Sequence, residues 1–217
     1  MNTSVHAAST GAAKRRRVHK PPEIRQDEIL AAAARVFAAN GYRLTDMQEV
    51  ADQAGVGKGT VYRYFPAKQE LFLAALEQNL DKLSAFVENA RKQHKNPLEK
   101  LQAGIHAYLT FFDDHPETVE LFVQERAEFS SGDKPLYFVR SDEHKSEWAA
   151  EFAALNEPLS VRNQRLAVPA EQAMELLGFM LYGAVMSTRL ANRTDRLAAS
   201  SSLILHTFLH GVVNDTQ

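Results

Sequence analysis

Apolar positions recur along this chain at intervals of three and four, and no stretch alternates polar and apolar as a strand would. Ile24, Ile29, Ala32, Ala33, Val36 and Phe37 make a helical stripe that predicts a first helix over 23–40, closed by Asn40-Gly41. Thr45 reads as an N-cap with Gln48 three positions on, the capping-box spacing, and Met47, Val50 and Ala51 follow on one face of a short second helix. Ala54-Gly55-Val56 breaks it, with Gly55 free to take the left-handed conformation of a tight turn. A third helix over 57–64 turns Val61 and Phe65 inward. Pro66 opens a long helix to about residue 93, with Leu71, Phe72, Ala75, Leu76, Leu80, Leu83 and Val87 in register, and this helix is expected to be the continuous link between the front of the chain and the rest. Further helices are predicted over 97–114, 116–129, 135–155, 170–191 and 195–213, with a loop at 130–133 and an irregular stretch at 158–169. The fold class is all-α.

The short second and third helices, joined through a glycine, form a helix-turn-helix. Once Val61 and Phe65 are inside, Lys58, Thr60, Tyr62, Arg63 and Tyr64 remain outward. Donors and flat rings on one short helix suit base edges and phosphates in a major groove.

Charge sharpens this division. The net formal charge is −2, but residues 1–68 hold 11 Lys+Arg against 6 Asp+Glu, and the remainder holds 14 against 21. A basic front joined to an acidic remainder points to a nucleic-acid partner for the front alone. Residues 1–22 have no periodic apolar pattern and read as a disordered arm, in which Lys14 to Arg17, His19 and Lys20 could touch DNA phosphates or the minor groove. The chain contains no cysteine, so disulfides and thiolate chemistry are excluded. No run of about 18 apolar residues is present, so no membrane span is expected. A cytoplasmic location is the expectation.

Gly55-Val56-Gly57-Lys58-Gly59-Thr60-Val61-Tyr62-Arg63-Tyr64-Phe65, followed by Lys68, Glu70 and Leu71, resembles the signature of TetR-type transcriptional regulators. The likeness extends back through Ile29, Ala32, Phe37 and Gly41-Tyr42 to Thr45, and Pro66-Ala67 departs from the polar pair often found after the Phe. The resemblance implies a three-helix DNA-binding head at 23–68 and a helical domain for ligand binding and dimerisation at 69–217. It matches Thr45, Lys58, Gly59, Thr60, Tyr62, Arg63, Tyr64 and Lys68 to the family's DNA-contact positions. Lys58 would reach guanine acceptors, Gly59 would let the backbone approach, and Tyr62 would meet a thymine methyl or a sugar. Thr45, Thr60, Tyr64 and Lys68 suit phosphates, and Arg63 suits either.

The family's second domain usually holds a small-molecule pocket. Tyr108, Phe112, Phe122, Trp148, Phe152 and Tyr182 are expected as its walls, Glu125 and Arg189 as polar ends or as surface residues, and Phe86 as deep in the bundle, where a ligand would wedge beside it or beside Phe112. The last two predicted helices intersperse Gly178, Gly183 and Ala184 among large apolar residues, and the resemblance implies that they pair with a second copy as a four-helix interface. The resulting reading is a ligand-responsive regulator, a repressor that binds a palindromic double-stranded operator as a homodimer and is released by a small-molecule effector. The alternative is a metal-responsive regulator using His206 and His210, which share a helical face but lack the adjacent Glu of a hydrolytic zinc motif. No phosphate loop, nucleophile elbow or paired-carboxylate pattern stands out, so no enzyme, cofactor or membrane partner is expected.

Overall fold

A computed structural model describes residues 21–129, 132, 134–161, 164–191 and 195–215. Most of the arm read at 1–22 lies outside them. The helices are α1 (Pro22–Asn40), α2 (Met47–Gln53), α3 (Lys58–Tyr64), α4 (Lys68–Arg91), α5 (Pro97–Asp114), α6 (Pro116–Phe129), α7 (Leu136–Glu143), α8 (Lys145–Ala154), α9 (Asn156–Ser160), α10 (Ala170–Leu190) and α11 (Ser201–Val212). A 3-10 turn at Leu197–Ser200 leads into α11. Two three-residue strands, β1 (Gln164–Leu166) and β2 (Val213–Asp215), pair antiparallel with Arg165 opposite Asn214. Neither strand is legible in the apolar pattern, since three residues are too few to show a period. The architecture is all-α.

Local chemistry places the boundaries. Gly41 ends α1 at φ 80, and its N–H bonds the Phe37 carbonyl. Gly55 takes φ 66 in the turn between α2 and α3, a conformation that a side chain would strain. Asn96 caps α5 by accepting from the Leu98 and Glu99 amides. Pro116 opens α6 directly after His115.

Several expected boundaries are corrected. The N-cap of α2 is Asp46, whose carboxylate accepts from the Gln48 amide, and not Thr45. Thr45 is buried and its hydroxyl donates to the Gly41 carbonyl, 2.8 Å away. Gln48 turns along its own helix to Asp52 rather than back to the cap. α4 begins at Lys68, because Phe65, Pro66 and Ala67 run extended or bent and a residue before proline avoids the helical region. The helix expected over 135–155 breaks at His144 into α7 and α8, and the stretch read as irregular at 158–169 holds the end of α9 and β1.

One apolar core runs from Ile29 in α1 to Val212 in α11. In the head it contains Ile29, Val36, Phe37, Val50, Val61 and Phe65, with the Phe37 ring edge-on to Phe72 at 5.1 Å. Ile24 lies outside it, half-exposed in the first turn of α1, ahead of the buried stretch that begins at Ile29. The expectation that α4 alone joins the two parts also changes, because α6 packs on α1 as well. Gln124 donates to the Phe37 carbonyl at 2.8 Å, Arg43 pairs with Glu128 at 2.9 Å, and the Tyr42 and Phe129 rings meet at 4.8 Å. α4 is the covalent link and α6 a second, packed one.

Candidate nucleic-acid interface and effector cavity

α3 is held by its inner face. Val61 is fully buried and Phe65 nearly so, which forces the intervening residues outward. Tyr62 and Arg63 are exposed, and Thr60 and Tyr64 are half-buried. The Arg63 guanidinium lies 5.4 Å from the Tyr64 ring, whose hydroxyl donates to the Pro22 carbonyl at 3.4 Å. A Cβ at exposed Gly59 would meet nothing within 4 Å, so the backbone there is open to close approach.

Lys58 is held at the start of α3. Its ammonium donates to Asp46 at 3.0 Å, which raises the lysine pKa, while the Gln48 amide and then Lys58 lower that of the carboxyl. The same Asp46 therefore caps α2 and holds the Lys58 ammonium. Lys68, expected at a phosphate, is already partly engaged within the head. Its ammonium donates to the Arg43 and Thr45 carbonyls at 3.1 and 3.2 Å and sits 4.8 Å over the Tyr42 ring. Two of its three donors thus hold the loop before α2, and one remains. Thr45 has its hydroxyl turned inward, which removes the side chain from the phosphate-facing set.

The helices from α4 onward surround an open cavity. A cavity of about 780 Å³ lies among α4, α5, α7, α8 and α10, within the size range of small-molecule sites. Of the expected walls, Tyr108, Trp148, Phe152 and Tyr182 line it. Phe112 and Phe122 do not. They are packed behind the wall, with Phe112 against Tyr108 at 5.0 Å and Phe122 against Tyr137 at 5.3 Å. Glu125 does not line it either. It is buried and accepts the Leu136 amide at 2.9 Å, fastening the start of α7 to α6, and burial raises its pKa. The Arg189 side chain lies outside the described residues. Phe86 is half-exposed beside Phe111 rather than deep in the bundle.

Sequence reasoning passed over Tyr137 and Phe138 on α7 and the aliphatic wall of Leu80, Leu83 and Ile105. The signal of Leu80, Leu83 and Ile105 was present in the apolar stripes of α4 and α5, but a stripe does not say whether it faces a neighbour or a hollow. The Tyr108 and Tyr137 hydroxyls bond each other at 2.9 Å. Burial pushes both phenols up, Tyr108 well above its ordinary value.

α10 and α11 leave an apolar face uncovered. Leu176, Phe179 and Leu203 are exposed, and Cβ atoms at Gly178, Gly183 and Gly211 would meet nothing within 4 Å. The His206 and His210 rings lie 4.2 Å apart on α11, but among the described residues no group of three or more metal-ligating side chains forms. No described helix is long and apolar enough to cross a membrane.

Residues 29–75 match the family model described as bacterial regulatory proteins, tetR family. The chain is 33% identical over 104 residues to the transcriptional activator FasR of Mycolicibacterium smegmatis, covering 48% of each protein. It is 31% identical over 123 residues to the transcriptional repressor KstR2 of Mycobacterium tuberculosis, 57% of this chain and 60% of that one. The chain thus spans about half to three-fifths of the length of these curated relatives. The solved KstR2 structure, that of a ketosteroid transcriptional regulator, superposes with a TM-score of 0.65 at 23% identity over 88% of this chain and 96% of its own. The regulator FadR of Bacillus subtilis, solved in complex with stearoyl-CoA, gives 0.64 at 19% identity over 85% and 98%. At these identities the superpositions establish a shared fold.

Proposed function

On the premise that this chain carries over residues 29–75 the head of the tetR family of bacterial regulatory proteins, we propose that it is a ligand-responsive, DNA-binding transcription regulator. Two copies pair through the open face of α10 and α11, and each inserts α3 into a major groove of a palindromic operator. Lys58, Tyr62 and Arg63 read or grip the DNA, with Thr60, Tyr64 and the spare donor of Lys68 at the backbone. A small molecule in the cavity lowers DNA affinity, and the regulator represses, as KstR2 does. FasR is an activator, so the sign of control is tested separately with a promoter fusion.

The observation that carries this reading is the physical continuity between cavity and head. Tyr137 lines the cavity and touches Phe122 of α6, Glu125 of α6 holds the first turn of α7, and the same helix grips α1 and the Tyr42-Arg43 loop. A molecule that displaces α7 therefore acts on α6, and through it on the helix that positions α2 and α3. α4 offers a second route, since Leu80 and Leu83 line the cavity and Leu71 and Phe72 lie in the head core. Such coupling requires two states of different ligand affinity, is typically worth about 1–3 kcal/mol, and is reciprocal.

Selection from a random duplex library tests the DNA half of the proposal. The expected outcome is an enriched dyad-symmetric sequence whose half-sites lie about 34–36 Å apart or a multiple of a helical turn. Lys58→Ala and Tyr62→Ala should reduce the preference for that sequence over random DNA. Enrichment without dyad symmetry would count against a symmetric dimer, and equal loss on both DNAs would assign these side chains to phosphates alone.

A further inference from the structure

We propose that the cavity selects a neutral, largely apolar effector carrying one hydrogen-bond acceptor, such as a ketone, ester or lactone carbonyl, which it meets with the Tyr108–Tyr137 hydroxyl pair. The inference rests on the effector reading above and narrows it to a chemical class.

The first argument is a donor count. Two phenols carry two O–H donors, and the 2.9 Å bond between them consumes one. That is the hydrogen bond these two hydroxyls make among the described residues. Both side chains line the cavity, so the second O–H has the cavity contents as its available acceptor. Burial keeps both phenols protonated, which preserves the donor. A buried donor left without a partner is costly, so a ligand that supplies an acceptor is favoured over an isostere that does not.

The second argument concerns charge. Arg91 is paired with Glu88 and Glu151, Arg140 with Glu77, Asp81 and Glu143, and Lys145 with Glu175. Lys92 approaches Glu88 at 3.5 Å, leaving Lys100 as the remaining lining cation among the described residues. The Arg91 arrangement is built in. Its side chain lies over Gly104 of α5, where a Cβ would come within 3.1 Å of it. Guanidinium groups already matched to carboxylates offer little to a carboxylate or phosphate ligand, so among the described lining cations Lys100 is left to meet such a charge, and a ligand anion set beside the neutral phenols would lie uncompensated.

Trp148 is the chain's single tryptophan and lines the cavity, so its emission reports occupancy without DNA. The test titrates the full chain with 2-dodecanone, dodecane and dodecanoate. The ketone should bind about threefold to tenfold more tightly than the alkane, and more tightly than the carboxylate. In Tyr108→Phe/Tyr137→Phe the ketone should fall to the alkane's affinity while the alkane is unchanged. Replacing both partners with apolar isosteres is nearly neutral for folding, so this variant remains readable. A ketone preference that is absent, or that survives in the double variant, overturns the acceptor assignment but leaves the cavity as an effector site. Tighter binding of dodecanoate overturns the neutral class. Silence of Trp148 toward all three probes overturns both this inference and the effector reading on which it rests.

Discussion

The head and the bundle are built from the same kind of helix but packed to opposite ends. In the head, three helices close around Phe37, Val50, Val61 and Phe65 with little exposure at any of them. In the bundle, Tyr108, Tyr137, Trp148, Phe152 and Tyr182 surround space instead of filling it. A filled core fixes which side of a short helix faces out, which is what the proposed reading role of α3 requires. A hollow core leaves part of its apolar surface without protein neighbours, which is what the proposed effector role requires.

The contrast predicts unequal sensitivity to truncation. Phe37→Ala should cost about 3–5 kcal/mol, because a fully buried ring in a closed core leaves a void. Trp148→Ala, which enlarges an existing cavity, should cost markedly less. Thermal unfolding of the two variants checks this, and equal losses would mean that the bundle is as tightly determined as the head.

Assembly is the next largest effect. If two copies pair through α10 and α11 as proposed, Gly183→Leu should shift the protein toward monomer in sedimentation equilibrium while its secondary structure stays intact, because a Cβ at this position meets nothing within 4 Å among the described residues. Overpacking at a close helix contact typically costs about 1–3 kcal/mol. An unchanged dimer would place that glycine away from the partner.

Within the head, Asp46→Ala removes an N-cap and should cost about 1 kcal/mol. It also frees Lys58, so DNA affinity should change by more than the loss of stability explains. If affinity merely follows stability, the Asp46–Lys58 contact does not aim the lysine.

The smallest effect concerns Glu125. Its folded pKa is raised, so the folded state favours the protonated acid. That contribution is complete below the ordinary carboxylate range and is lost as pH rises through the folded value. Glu125→Gln cannot ionise and keeps an oxygen for the Leu136 amide. Relative to the parent, its melting temperature should therefore gain as pH rises from about 4 to about 8. A constant difference across that range would show that the carboxyl is not perturbed by its burial.

The amino-acid sequence by itself determined the all-α class, the helix-turn-helix, the outward set on α3 and the ends of α5 and α6. All of these rest on interactions within a few residues: a 3.6-residue period, a glycine at φ 66, a proline at a first turn. Even there, a choice between neighbours escaped it. Thr45 and Asp46 are both capping residues, and the one that caps was decided by Thr45 finding the Gly41 carbonyl instead. The cavity was decided by tertiary structure alone. An aromatic on an apolar stripe looks the same whether it backs a wall or forms it, and Phe112 and Phe122 went to the packing while Tyr137 and Phe138 went to the surface of the hollow. That sorting depends on how five helices spread from Lys68 to Leu190 are spaced around a common centre, and no period within one helix carries it.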